Sequence, residues 1–303
     1  GGTAMMRILG IVGVQVCICV PIIVFQFCKG KEFFSKEYWG YALRIGIPIV
    51  PHYLSGIILN QGDRIMIDKM VGKTEVALYG LAYSIGMLVQ LFISGMNSAL
   101  TPWMYSKIKK GDIRSMRKVL QLLSIVVVGI AVALMLISPE LVLIFGSPKY
   151  REAVYVIPPV AASVFFIFIY NILSMPQFYY EKTQFLMAAS MAAAGANVVL
   201  NFIFIRLFGY IAAGYTTLAC YMLYSVGHYI VSKRILVNEG IQENLMNPGF
   251  LVACSVFLIG ASIICNLIFP YRILRYAILL ASAGLVFWKK ELLLKTMADI
   301  RKK

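Results

Sequence analysis

The chain alternates between long apolar runs and short polar connections. Nine runs are of spanning length: Met5–Phe27, Ala42–Gly62, Ala77–Thr101, Val119–Ser138, Ala153–Ser174, Gln184–Ile205, Tyr210–Ser232, Pro248–Phe269 and Arg272–Trp288. Each holds about 17–25 residues, enough to cross about 30 Å of hydrocarbon as an α-helix. None alternates with a period of two, which excludes a transmembrane β-barrel. The predicted fold class is an all-α polytopic membrane protein with about nine transmembrane helices. Residues 44–83 depart from the plain apolar pattern. They begin as an apolar helix that Pro48 and Pro51, with Gly46 and Gly56, interrupt. His52 lies inside the run, and a cluster of Asn60, Gln61, Asp63, Arg64, Asp68 and Lys69 ends it. Charges and unpaired polar groups are expensive in hydrocarbon. A span that keeps them is expected to face protein or a water-filled cavity.

Composition agrees with the pattern. Hydrophobic residues make up 60% of the chain and charged residues 14%, with a mean hydropathy of +0.82. A soluble domain is nearer half apolar and a quarter charged. The net charge of +15 raises the question of nucleic acid. Lys and Arg, however, sit in short connections between apolar runs, which is the orientation signal of an inner-membrane protein. No soluble basic module is present, so nucleic acid is not an expected partner. The connections 28–44, 102–118, 175–183, 233–247 and 289–303 hold 19 basic residues, against 9 on the other side. This places the N-terminus of the chain outside and its C-terminus in the cytoplasm.

The most basic connection, Trp103–Lys118, reads as this signal plus attraction to anionic headgroups. Contact with an anionic cargo is the sharper alternative. Segment 139–152 is placed at the outer interface, and Lys289–Lys303 as an amphipathic helix on the inner surface. Cys17, Cys19, Cys28, Cys220, Cys254 and Cys265 lie in or beside apolar runs and read as buried free thiols. No cysteine–histidine spacing suits zinc.

Candidate chemistry lies in the polar residues of the spans. Asp63 and Arg64 either gate a cavity or meet an anionic cargo, or else mark where the span leaves the membrane, paired with each other or with Asp68 and Lys69. His52 is either a packing residue or a proton or substrate site. Gln90 and Asn97, with Ser94 between them, share one helix face, and so do Asn197 and Asn201. These amides, with Asn171, either bridge helices or line a path for a hydroxyl-rich cargo. The sequence holds no GxxxxGK[ST] loop, no GxSxG elbow and no paired carboxylates on one span. No catalytic residue, metal site or cofactor is therefore expected, and a carrier is the remaining class.

Residues 47–86, IPIVPHYLSGIILNQGDRIMIDKMVGKTEVALYGLAYSIG, resemble the start of the second half of bacterial oligosaccharide flippases. These form the polysaccharide-transporter branch of the multidrug/oligosaccharidyl-lipid/polysaccharide exporter superfamily. PELVLIFGSPKYREAVYVIPPV (139–160) and PQFYYEKTQ (176–184) are similar to that family too. The resemblance implies two six-helix bundles related by pseudo-symmetry. Residues 1–41 would hold the last helix of the first bundle and a linker, 42–232 the second bundle, and 233–303 two extra helices and a basic tail. Five spans of the first bundle would precede the chain. The implied cargo is an oligosaccharide on undecaprenyl diphosphate, with membrane lipids, a glycan polymerase and export machinery as further partners. The resemblance, with position, puts Arg64 first as a site, then His52, Asn60 and Asp63.

Two other functions compete. A drug or cation antiporter of the same superfamily needs an intramembrane carboxylate, and the carboxylates here are expected at span ends or in loops. A membrane enzyme of glycan assembly needs a large extracytoplasmic loop, and the longest outer connections, near 63–76 and 139–152, are too short.

Overall fold

A computed structural model describes residues 2–31 and 34–288. Among these residues the secondary structure is helical, with no strand. The α-helices are α1 (Gly2–Gly30), α2 (Lys36–Met70), α3 (Lys73–Gly86), α4 (Leu88–Lys110), α5 (Ile113–Phe145), α6 (Ile157–Tyr179), α7 (Thr183–Phe208), α8 (Ile211–Asn238), α9 (Pro248–Ile268) and α10 (Arg272–Trp288). A 3-10 helix, Pro148–Val156, leads into α6. Among the described residues seven segments are long and apolar enough to cross a membrane: Ile8–Gly30, Lys36–Met70, Lys73–Lys110, Ile113–Phe145, Pro148–Tyr179, Thr183–Phe208 and Pro248–Ile268. The chain is thus an all-α polytopic membrane protein. The two other predicted spans fall on α8 and α10. Helix α8 has ample length at 28 residues, but its apolar run is diluted by Thr216, Thr217, Tyr221, Tyr224 and His228. Helix α10 holds 17 residues.

Several connections differ from the sequence reading. Pro48 and Pro51 lie inside a continuous α2 and do not end it. Each removes only one intrahelical hydrogen bond, and the helix resumes around them. The span expected over Ala77–Thr101 falls within the single apolar stretch Lys73–Lys110, with a one-residue turn at Met87 between α3 and α4. Beside that turn Gly86 packs closely on α6, where a Cβ would stand 2.6 Å from Val160 Cγ1. The basic connection Trp103–Lys118 is almost wholly helical. Gly111 ends α4 in the left-handed region (φ 68), and the Asp112 side chain caps α5 by accepting from the Ser115 N–H at 3.3 Å. Lys107 also donates to Asp112 at 2.6 Å. These bonds, Lys107's foremost, hold the Asp112 carboxyl down at about 2. The first half of segment 139–152 belongs to α5, which runs to Phe145, and Pro148–Glu152 belong to the 3-10 helix. Pro139 takes away the N–H that Met135 O would accept, and Ser138 Oγ replaces it at 2.7 Å.

The chain falls into two units, residues 1–47 and 48–303. In the first, the side chains described in α1 from Met5 to Gly30 are exposed, as suits a helix apolar all round with no preferred buried face. Cys17, Cys19 and Cys28 on it are exposed, contrary to the expectation of buried thiols. Cys220 and Cys265 are buried and Cys254 partly so, and all six are unpaired. In the second unit α6 is the central post. Nearly every residue from Ile157 to Ser174 is buried, with α8 as its closest neighbour and α4, α5 and α9 around it. Helix α10 is tied to α5 by Arg275, whose guanidinium grips both Glu140 oxygens at 2.7 and 2.8 Å and also donates to Leu136 O at 2.5 Å. At the opposite end of α5, Arg114 pairs with Glu243 at 2.5 Å and Arg117 donates to Asn244 O at 2.7 Å. The predicted surface helix Lys289–Lys303 lies outside the described residues.

Candidate functional site

A polar cavity of about 780 Å³ opens within the second unit, between α2, α3, α6 and α8. That volume lies in the range of small-molecule sites. The α2 wall presents His52, Asn60, Gln61 and Arg64. The α6 wall presents Tyr170, Asn171 and Ser174, and α8 presents Tyr221 and Tyr224. No carboxylate is among the lining residues. Arg64 donates to Gln61 Oε1 at 2.6 Å and lies over the Tyr83 ring at 5.2 Å, a cation–π contact. It forms no ion pair among the described residues, so its charge is left for the cavity. His52 Nδ1 and the Tyr224 hydroxyl share a hydrogen bond at 3.0 Å. The Tyr170 ring stacks on Tyr221, 6.3 Å away and inclined by 7°, and meets Tyr224 at 4.5 Å.

Beside this cavity lies a closed cage around Asp63, which is fully buried. Its Oδ2 accepts from the Tyr79 hydroxyl at 2.5 Å and the Thr217 hydroxyl at 2.7 Å. Its Oδ1 accepts from Asn201 Nδ2 at 2.6 Å. Asn201 Nδ2 also reaches Asn197 Oδ1 at 3.1 Å, while the Thr216 hydroxyl donates to Asn201 Oδ1. Asp63 has no ion pair among the described residues, neither with Arg64 nor with Lys69. The sequence reading placed it at a span end. It lies instead about two turns before the end of α2 at Met70, in the packed interior. The expectation that carboxylates occur only at span ends or in loops is therefore corrected.

The cavity and the cage are two tiers of one pattern. In each tier α2 supplies the acceptor and α3 and α8 supply hydroxyls. Asn60 Oδ1 accepts from Tyr83 at 2.7 Å and Tyr221 at 3.3 Å. One turn along, Asp63 accepts from Tyr79 and Thr217. The spacings 60/63, 79/83 and 217/221 are those that bring side chains onto one helix face.

The structure thus divides the sequence candidates. His52, Asn60, Arg64 and Asn171 line the cavity. Asp63, Asn197 and Asn201 build the cage. Gln90 and Asn97 on α4 meet neither, and each keeps a buried side-chain oxygen with no hydrogen-bond partner. Sequence reasoning missed Tyr79, Tyr83, Thr217, Tyr221, Tyr224 and His228. His228 is fully buried, and its Nδ1 shares a hydrogen bond with Gln177 Nε2 at 2.7 Å. The signal was present: residues 217, 221, 224 and 228 follow i, i+4, i+7, i+11 along one face of α8.

A helical membrane protein with a polar cavity inside its bundle belongs to the structural class that carriers use. Residues 5–109 match the family described as "Polysaccharide biosynthesis protein". This agrees with the resemblance read from residues 44–86. A Haemophilus influenzae protein named for the Lsg locus is 28% identical over 53% of this chain and 41% of its own length. An uncharacterized membrane protein of the same organism is 29% identical over 59% of this chain and 46% of its own. The chain therefore spans less than half the length of the curated relatives it matches. No solved structure matches.

Proposed function

We propose that the chain is part of a flippase that moves an oligosaccharide linked to undecaprenyl diphosphate across the bacterial cytoplasmic membrane, by alternating access of two bundles. Residues 42–232 act as the second bundle and 233–303 as accessory helices and tail. The N-terminus of the chain is outside and its C-terminus cytoplasmic. A glycan polymerase and export machinery are downstream partners.

One observation carries this reading: the cavity is lined by an unpaired arginine, a histidine, amides and tyrosine hydroxyls, with no carboxylate. Such a wall suits a diphosphate joined to a sugar. Guanidinium forks bind phosphate oxygens strongly, and amides and hydroxyls match sugar hydroxyls. Asp63 favours a second reading, the drug or cation antiporter, because it is a carboxylate buried inside the helix bundle. Against that reading, Asp63 is sealed in its cage and the cavity wall meets a cationic cargo with Arg64.

Binding of undecaprenyl diphosphate to the detergent-purified chain tests the first reading. Arg64→Ala is expected to raise Kd about ten- to a hundredfold, the range for losing a hydrogen bond to a charged group. Unchanged affinity in Arg64→Ala, or preferential binding of a cationic dye, contradicts it.

A further inference from the structure

We propose that Gln177, His228 and Ser232 form a buried water-binding site behind the cavity wall, and that through His228 this site positions Tyr224 against His52. The argument starts from the Gln177 amide. Its Nε2 lies 3.3 Å from Leu173 O and 2.7 Å from His228 Nδ1. A carbonyl oxygen only accepts, so the amide nitrogen donates to both partners. His228 Nδ1 is then an acceptor and carries no hydrogen. The imidazole is neutral, with its proton on Nε2.

That Nε2–H has no hydrogen-bond partner among the described residues, and neither have Gln177 Oε1 and Ser232 Oγ. All three residues are buried. His228 and Ser232 stand one turn apart on one face of α8, and Gln177 reaches His228 from α6. Buried polar groups without partners are costly, and native proteins satisfy nearly all of them.

The inventory of donors and acceptors fits one ligand. Nε2–H needs an acceptor, Gln177 Oε1 needs a donor, and the Ser232 hydroxyl can be either. Water accepts and donates at once, and three partners is its usual number in a protein interior. A metal ion does not fit. With Nε2 protonated and Nδ1 engaged by Gln177, the imidazole has no lone pair to offer. An anion does not fit either, because the Gln177 oxygen repels it.

The role of the site follows from what else His228 touches. Its ring packs edge-on against Tyr224, with centroids 4.5 Å apart, and lies 5.8 Å from Tyr170. Both tyrosines line the cavity. The Tyr224 hydroxyl shares its hydrogen bond with His52 Nδ1 at 3.0 Å, and the Phe178 ring meets His52 edge-on at 6.5 Å. Helix α6 thus supports the wall twice: Gln177 fixes the His228 ring, and the next residue, Phe178, stands in the lining. With Nδ1 tied to Gln177 and Nε2 to a water, the imidazole cannot rotate without breaking one of the two bonds. The Tyr224 ring that rests on it keeps its place, and so does the bond to His52. His228 is therefore a positioning residue for the end of the cavity at which His52 stands. The inference concerns the wall, not the cargo, and holds for any ligand that the cavity takes.

The chain has two histidines, His52 and His228, so a histidine-labelled sample can be read in full. The test is solid-state nitrogen NMR of the full chain in lipid bilayers, with His52→Gln to assign the signals. The wild type is expected to show a bare Nδ1 and a protonated Nε2 at His228, with magnetisation transfer from bound water to Nε2–H. In Ser232→Ala the residence time of that water is expected to fall about two- to tenfold, the range for losing one neutral hydrogen bond. In Gln177→Leu the proton spreads over both ring nitrogens. In His228→Ala the His52 signals shift toward those of Tyr224→Phe, which lacks the hydroxyl. Gln177→Leu, which frees the imidazole but keeps it, carries the same His52 readout if His228→Ala fails to fold. Ser232→Ala removes one hydroxyl only and decides the water site if both larger changes fail. The proposal is overturned by a proton on Nδ1 of wild-type His228, by absence of transfer from water, by equal residence times in the wild type and Ser232→Ala, or by His52 signals that stay at their wild-type positions in folded His228→Ala.

Discussion

Asp63→Asn is expected to fold and to stop transport, whereas Asp63→Ala is expected to lose stability as well. In alanine, the Tyr79 and Thr217 hydroxyls and the Asn201 amide lose their acceptor in a fully buried place. Each stranded donor costs about 1–3 kcal/mol. Rotation lets the hydroxyls recover part of this, so a total near 3 kcal/mol is the expected outcome. In asparagine, the new amide oxygen still accepts from Asn201, and the rotating hydroxyls accept from the new NH2. The expected cost is about 1 kcal/mol. What asparagine cannot do is change charge. If the carboxyl couples the two ends of a cycle, transport falls about tenfold or more, in the range of typical coupling energies. Thermal unfolding of the purified variants and glycan export in cells read the two effects separately. Wild-type export by a folded Asp63→Asn makes the cage a packing device only.

The second large effect lies at Arg275, which is 3% exposed and joins α10 to α5. Arg275→Ala removes both short bonds to Glu140, which keeps the exposed Arg272 at 4.0 Å. Removing one partner of a fully enclosed pair costs about 3–5 kcal/mol. The Glu140 side chain keeps 24% exposure and some water, so about 2 kcal/mol is expected. Arg275→Lys keeps the charge but not the two-pronged grip, and should fall between. In Arg275→Ala, Glu140→Gln should recover part of the loss, because it removes the stranded charge. Thermal unfolding of the wild type, Arg275→Ala, Glu140→Gln and the double variant checks this as a double-mutant cycle. Equal stability of Arg275→Ala and wild type contradicts the anchor.

The fold class was legible because it depends on one strong signal, apolar length. The breaks in that signal were less so. Proline in α2 read as an interruption, yet the helix continues through both prolines. The turn at Met87, inside one apolar stretch, lies beside the close contact of Gly86 with Val160, seventy-odd positions away and invisible to local pattern. That Asn60, Asp63 and Arg64 face protein or a cavity was legible because polar groups are costly in a span. Their separation was not. Asp63 and Arg64 are neighbours in sequence, so pairing looked natural, but successive helix residues point about 100° apart. One faces α7 and α8, the other the cavity. Tyrosines escaped notice for a different reason: in a membrane protein they read as interfacial anchors, and only tertiary placement reveals them as donors to Asn60 and Asp63.

The central claim is that the protein takes a lipid-linked oligosaccharide from the inner to the outer leaflet. Deleting the gene in its source cell and assaying undecaprenyl-linked oligosaccharides by leaflet tests it most directly. The account predicts precursor accumulating on the cytoplasmic face, relieved by the wild-type gene and not by Arg64→Ala. Full surface glycan with no trapped precursor after deletion contradicts it.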